Sequence, residues 1–225
     1  IECHDIVCKI AEVVVVGGVR RSALISLSNL SDDRMRHAKS GQWWNDNPQR
    51  ALANNSACYT EKPDMGIFMD EWTALYNSKS GERGIFNRAS ANQMAEKNGR
   101  RTIEGHQFGT NPCSEIILRD RGFCNLSEVV IRENDTEETL LEKVRLATIL
   151  GTFQSTLTNF KYLSSAWKKN CEEERLLGVS LTGIMDNELT NGRTPYNEFS
   201  TRDGKLEELL TKLRKEAIKT NKKYA

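Results

Sequence analysis

A cysteine placed between an amide and a carboxylate is the part of this sequence best suited to chemistry. Cys113 lies in the stretch 109–118, with Asn111 two residues before it and Glu115 two residues after it. In an extended segment the side chains at i−2, i and i+2 point the same way, so we expect these three to converge on one small ligand. The thiol would supply sulfur chemistry, the amide a donor and an acceptor, and the carboxylate a base. Pro112 removes a backbone N–H, which argues against a regular central strand.

The rival interpretation is a buried structural cysteine beside a turn, since free cysteines are among the most buried residues. A second cysteine, Cys124, follows eleven positions downstream. The spacing and residue types alone leave both interpretations open.

Composition narrows the class of protein. The chain has 225 residues with 32 basic and 31 acidic side chains, so no global field favours nucleic acid or an acidic membrane surface. The longest aliphatic run, 13–16, is too short to span a bilayer. The six cysteines are irregularly spaced without a zinc-type CxxC pair, which predicts a reducing cytoplasm and no metal site: Cys3, Cys8, Cys58, Cys113, Cys124 and Cys171.

Hydrophobic periodicity predicts alternating helices and strands. The chain opens with a helix–turn–strand unit over 5–28, in which Gly17-Gly18 ends the helix. Arg20 and Arg21 follow this glycine pair and could cradle a phosphate, although such pairs are usually plain turns. Further predicted elements are a helix from about 32 to 39, a loop at 41–50, a strand near 53–59, a helix at 64–78, a strand at 85–87 and a helix at 89–98.

The second half is predicted to contain strand–helix units over 124–186, a polar linker at 191–203 and an amphipathic helix at 205–225. Thr136 is expected to cap a long helix that reaches about Phe160. Arg100 and Arg101 are expected to be solvated, and His106 lies in a polar loop. The alternation predicts an α/β architecture with a mostly parallel sheet, but it does not separate a doubly wound sheet from a barrel.

Two motifs carry a resemblance to a known family. Asn-Pro-Cys-Ser-Glu-Ile at 111–116 and Cys-Asn-Leu-Ser-Glu-Val at 124–129 resemble the active-site loop of ribonucleotide reductases. Residues 41–60 look most like the monomeric, adenosylcobalamin-dependent ribonucleoside-triphosphate reductases. The resemblance implies part of a ten-stranded α/β barrel, residues 1–225 forming one partial domain with the cysteine loop through its centre.

The resemblance also implies roles for individual residues. Cys113 would carry the thiyl radical, Glu115 would act as general base, and Asn111 would hold the sugar hydroxyls. Cys124 would be one of two cysteines that deliver reducing equivalents. Ser114 and Ser22 are further candidates for substrate binding. The implied cofactor is adenosylcobalamin, and the implied partners are a ribonucleoside triphosphate, a thioredoxin-like reductant and the remaining parts of the reductase chain.

Several expected features of the family are missing from these residues. No residue matches the second reducing cysteine, the downstream phosphate loop or the C-terminal shuttle cysteines, so we expect an internal fragment of a longer enzyme. An iron-dependent or glycyl-radical reductase of the same superfamily remains an alternative. So does an inactive fragment in which Cys113 is a core thiol.

Overall fold

A computed structural model describes residues 1–16, 22–97, 99, 101–192 and 204–225. The chain divides into two compact units, Ile1–Asp120 and Arg121–Ala225, which are described separately below. The glycine pair at 17–18 and the two arginines that follow it lie outside the described residues, as does most of the predicted linker at 191–203.

The first unit is built on a three-stranded parallel sheet. Its strands are β1 (Leu24–Ser28), β2 (Ala53–Tyr59) and β3 (Gly84–Asn87), in that order across the sheet. In the register, Leu24 lies opposite Ala53, and Ser56 lies opposite Gly84. The middle strand is buried at every position except Asn54, as expected for a parallel strand covered on both faces. The predicted parallel α/β arrangement is therefore confirmed.

Among the described residues of this unit, five helices accompany the sheet: α1 (Glu2–Val16), α2 (Asp33–Arg36), α3 (Trp43–Asp46), α4 (Met65–Ser78) and α5 (Arg88–Lys97). Helix α2 is shorter than the predicted 32–39 helix, and its N-cap is Asp32, whose side chain accepts a hydrogen bond from the Met35 N–H. The stretch predicted as a loop at 41–50 instead forms α3 and the start of a 3₁₀ turn over Pro48–Leu52.

An antiparallel hairpin follows α5. Its strands are β4 (Phe108–Thr110) and β5 (Ile117–Arg119), and Gly109 lies opposite Leu118. Ile117 packs, together with Leu27, against a buried cluster made of Cys58, Phe86 and Ala91. The hairpin thus covers the face of the sheet that carries Leu27 and Cys58.

Buried charges brace the first unit around Glu71. Arg83 donates to both carboxylate oxygens of Glu71, at 2.6 and 2.9 Å, and Arg36 adds a third bond at 2.7 Å. Burial alone would raise the pKa of Glu71, but the hydrogen bonds from both guanidinium groups outweigh it and hold the pKa below its usual value. The carboxylate therefore stays ionised and links α2, α4 and the segment that leads into β3.

The second unit pairs β6 (Cys124–Val130) with β7 (Leu176–Thr182) in parallel, and Cys124 lies opposite Leu176. Its helices are α6 (Glu137–Gln154), α7 (Ser165–Glu174) and α8 (Gly204–Tyr224). The core of this unit contains Val129, Ile131, Leu140, Val144, Leu209 and Leu213. Thr136 caps α6, as predicted, but the helix ends at Gln154 and not near Phe160.

The described strands form three separate sheets of three, two and two strands. A closed ten-stranded barrel thus stays a prediction. Within the described residues, no helix is both long and apolar enough to cross a membrane. The same residues contain no group of three or more His, Cys, Asp or Glu side chains able to hold a metal ion.

Candidate functional site

The predicted cysteine loop is the tight connection of the β4–β5 hairpin. Ser114 N–H donates to the Asn111 carbonyl at 3.0 Å, which closes a turn with Pro112 and Cys113 at its centre. Proline favours the first central position of such a turn, because its ring presets φ near the required value. Ser114 follows with φ of +67°, in the left-handed region. The prediction of an extended tip is therefore wrong, because the chain reverses direction at Cys113.

Asn111 closes the hairpin with its side chain. Its backbone N–H donates to the Ile116 carbonyl at 3.3 Å, and its Oδ1 accepts the Ile116 N–H at 3.0 Å. Thr110 Oγ1 also donates to this oxygen at 3.4 Å. The side-chain carbonyl thus takes the place of a backbone acceptor, which leaves the Nδ2 amide as the group able to bind a ligand.

Cys113, Ser114 and Glu115 are all exposed at this tip. Within the described part of the chain, neither the Cys113 thiol nor the Glu115 carboxylate has a hydrogen bond or an ion pair. Asn111, Cys113 and Glu115 lie within five residues of chain at this turn, and their convergence on one ligand stays a prediction. A thiol and a carboxylate without protein partners can both engage a ligand directly.

Two other thiols of the first unit differ from Cys113 in burial, whereas Cys3 is exposed as Cys113 is. Cys8 and Cys58 are buried, and burial raises the pKa of each above the usual thiol value. Cys171 of the second unit is buried with a raised pKa for the same reason. Cys113 is not a core thiol in this structure, so the alternative that made it one loses its premise.

Two arginines bind the strands of the hairpin, one at the base and one next to the turn. Arg88, the first residue of α5, donates to the Phe108 carbonyl at 2.9 Å. Arg101 donates to the Ile117 carbonyl at 3.0 Å, and its guanidinium lies 4.6 Å from the centre of the buried Phe108 ring. The expectation that Arg101 is solvated is wrong, because its guanidinium binds the Ile117 carbonyl and packs on the Phe108 ring.

The tip itself is held from the sheet by Asn54. This residue is the one exposed position of β2, and its Nδ2 donates to the Pro112 carbonyl at 2.8 Å. The sequence places Asn54 near the start of a strand but gives no sign of a contact 58 residues away. The sequence carries no signal that singles out Asn54, because the polar residues Asn55 and Ser56 follow it directly.

The remaining predicted site residues lie elsewhere. Ser22 is half-buried just before β1 and therefore lies outside the hairpin. Cys124 is the half-buried first residue of β6 and belongs to the second unit. His106 is half-buried in the connection between α5 and β4, and its backbone N–H donates to the Ile103 carbonyl.

Comparison with known proteins gives a consistent set of relatives, although no family model matches the chain. Adenosylcobalamin-dependent ribonucleoside-triphosphate reductases are 29% identical over 193 residues in Levilactobacillus brevis and 31% identical over 198 residues in Lactobacillus acidophilus. The enzyme of Lacticaseibacillus paracasei is 30% identical over 190 residues. Each alignment covers 83% of this chain but 24% of the relative, so the chain spans about a quarter of their length.

Proposed function

Because the chain is homologous to a segment of the adenosylcobalamin-dependent ribonucleoside-triphosphate reductases, we propose that it forms part of the catalytic barrel of such an enzyme. The reaction would convert ribonucleoside triphosphates into 2′-deoxyribonucleoside triphosphates for DNA synthesis. The observation that carries the proposal is the exposed Cys113 thiol at the tip of a hairpin, between Asn111 and Glu115. The cysteine loop would lie inside the barrel, where water is excluded from radical chemistry.

Cys113 is proposed to carry the radical that reaches the substrate. Loss of the 2′-hydroxyl is hard because hydroxide is a poor leaving group, and a radical at the 3′-carbon makes this loss easy. When bound, adenosylcobalamin supplies an organic radical by homolysis of its carbon–cobalt bond. The Cys113 thiol fits this chemistry, because it is exposed and carries a transferable hydrogen atom. As a thiyl radical, Cys113 would then take the 3′-hydrogen of the ribose.

Glu115 and Asn111 are proposed to act on the ribose hydroxyls. The exposed carboxylate of Glu115 would accept the proton of the 3′-hydroxyl as general base. Since the Oδ1 of Asn111 is engaged by the Ile116 N–H, its Nδ2 would donate to a sugar oxygen. Ser114, exposed in the same turn, is a further candidate contact, and Ser22 is a second one. The short turn would orient the thiol, base and amide together.

Cys124 is proposed to be one of two thiols that supply the electrons. The two thiols would lose two electrons and two protons and become a disulfide, while the nucleotide loses its 2′-oxygen as water. The half-buried position of Cys124 at the start of β6 leaves part of its side chain accessible. By the resemblance, the partner thiol belongs to another part of the reductase chain, and a thioredoxin-like dithiol would reduce the disulfide in the cytoplasm.

Cys113→Ser in the reductase polypeptide that carries this segment tests the proposal. We expect formation of deoxyribonucleoside triphosphate to fall to the level of the enzyme-free control, because a hydroxyl does not replace the thiol as a hydrogen-atom carrier. Nucleotide binding should not change. Cys3→Ser is the matched control, since Cys3 is an exposed thiol on α1. Turnover by the Cys113→Ser enzyme would refute the proposed role. Turnover by the isolated 225 residues would refute their being only part of the catalytic unit.

A further inference from the structure

We propose that Asn54 is a positioning residue for Cys113, which it holds through the backbone of the hairpin tip. The catalytic consequence of this inference rests on the proposed function, whereas the contact between Asn54 and Pro112 is independent of it. Asn54 Nδ2 donates to the Pro112 carbonyl at 2.8 Å. That carbonyl belongs to the planar peptide group that joins Pro112 to Cys113. Fixing its oxygen therefore fixes the orientation of the peptide from which the Cys113 side chain starts.

The donor stands on a rigid part of the first unit. Asn54 lies on the middle strand β2, where it pairs with Ile25 of β1. The next residue, Asn55, is 2% exposed, and its backbone N–H donates to Glu82 Oε2 at 3.0 Å. Its side-chain oxygen lies 3.0 Å from His4 Nε2. Asn54 and Asn55 are thus tied to a neighbouring strand, to α1 and to the segment before β3.

The tip, 111–116, depends on this contact more than the hairpin strands do. The strands are held by Arg88 and Arg101, which bind the carbonyls of Phe108 at the base and of Ile117 beside the tip. In the residues that the structure describes, Asn54 makes the one hydrogen bond that reaches 111–116 from outside the hairpin. The other hydrogen bonds of the tip lie within the hairpin, so without the Asn54 contact they alone oppose opening of the turn.

Hydrogen exchange of the 225-residue chain tests the contact directly. A hydrogen bond of this kind contributes about 0.5–1.5 kcal/mol, so Asn54→Ala should speed exchange of the Ser114 and Ile116 amides roughly two- to tenfold. Asn54→Gln keeps the amide donor and should restore at least part of the protection. Asn45→Ala is the matched control, because Asn45 is an exposed asparagine of the same unit that donates to Gln42 Oε1. Unchanged exchange in Asn54→Ala would overturn the proposal.

Kinetics of the reductase polypeptide that carries this segment test the consequence. Because Asn54 acts through Cys113, Asn54→Ala should lower kcat about tenfold or more and change the KM for nucleotide less than twofold. Asn54→Gln should recover part of kcat. A looser tip with unchanged kcat would refute the positioning role. If Cys113→Ser also keeps turnover, the proposed function itself fails, and the exchange result still decides whether Asn54 holds the tip.

Discussion

Asn111 allows the structural and chemical parts of one side chain to be separated by two substitutions. Its Oδ1 accepts the Ile116 N–H at 3.0 Å and closes the hairpin, while its Nδ2 is the proposed donor to the ribose. Asn111→Ala removes both groups. Asn111→Asp keeps an acceptor for Ile116 and removes the donor. The two variants should therefore differ in the order of the hairpin and agree in the loss of turnover.

The expected change in hydrogen exchange follows from the surroundings of the Ile116 amide. Ile116 is half-buried, so water can reach its N–H only in part once Oδ1 is gone. A fully buried donor left without a partner costs about 1–3 kcal/mol, and half-burial places the cost near the lower end, at about 1 kcal/mol. This corresponds to roughly fivefold faster exchange of the Ile116 amide in Asn111→Ala. In Asn111→Asp the charged acceptor should keep or increase the protection.

Amide exchange of the 225-residue chain, followed by NMR at a fixed pH, measures this difference, and the Cys113→Ser chain provides a reference with both Asn111 groups intact. Turnover is measured in the reductase polypeptide that carries the segment. Unchanged Ile116 exchange in Asn111→Ala would show that the side chain does not close the hairpin. Full turnover in Asn111→Asp would show that the amide donor is not used on the substrate.

Two further substitutions, one in each unit, test contacts that stabilise the fold. Gly183 has φ of +74°, and an added Cβ would lie 2.4 Å from the Ile131 carbonyl oxygen, so Gly183→Ala should lower the free energy of unfolding by at least about 2 kcal/mol in urea titrations. Gly192→Ala, also at positive φ but with ordinary contacts, should cost about half as much, and equal costs would contradict the clash. Hydrogen bonds from Arg50 hold the pKa of Asp5 at about 2, below its unfolded value of about 3.9. The Asp5–Arg50 pair therefore stabilises the fold by roughly 2 kcal/mol above pH 4. This contribution is lost as the pH falls towards 2. The urea stability of Asp5→Asn should accordingly lie below that of the unsubstituted chain at pH 6, with a gap that narrows between pH 4 and 2; a gap independent of pH would refute the assignment.

The sequence predicts most strands and helices because their apolar residues recur with the period of a strand or of a helix. The stripe on α8 is an example, since the helix buries Leu209 and Leu213, two of the positions that the pattern marks. Helix α7, over Ser165–Glu174, escaped prediction because it buries Cys171 and Glu174 and presents no apolar stripe.

The end of α6 shows a competing local interaction. Apolar residues continue past Gln154, which favours a longer helix in the sequence. Ser155 Oγ, however, donates to the Thr152 carbonyl at 2.7 Å, and Thr156 Oγ1 donates to the Phe153 carbonyl at 2.7 Å. Short hydroxyl side chains of this kind offer the backbone alternatives to helical hydrogen bonds, and α6 ends where two of them follow each other directly.

The candidate site was predictable as residue types but not as geometry. Asn111, Cys113 and Glu115 are neighbours in the chain, so any compact conformation keeps them close. The turn depends on the Pro112 ring and on the side-chain oxygen of Asn111, which an alternating pattern does not represent. Asn54 and Arg101 contact the hairpin across 58 and 16 residues of chain, and such pairings come from tertiary packing alone.

The two amides beside Cys113 are oriented in opposite senses by their protein contacts. Asn54 uses its Nδ2 on the Pro112 carbonyl, so its Oδ1 is the atom left to accept. Asn111 uses its Oδ1 on the Ile116 N–H, so its Nδ2 is the atom left to donate. Neither side chain can exchange its two ends without breaking a hydrogen bond to the hairpin backbone. Asn54 therefore offers a fixed acceptor and Asn111 a fixed donor, a polarity that suits hydroxyl groups, each of which can both donate and accept.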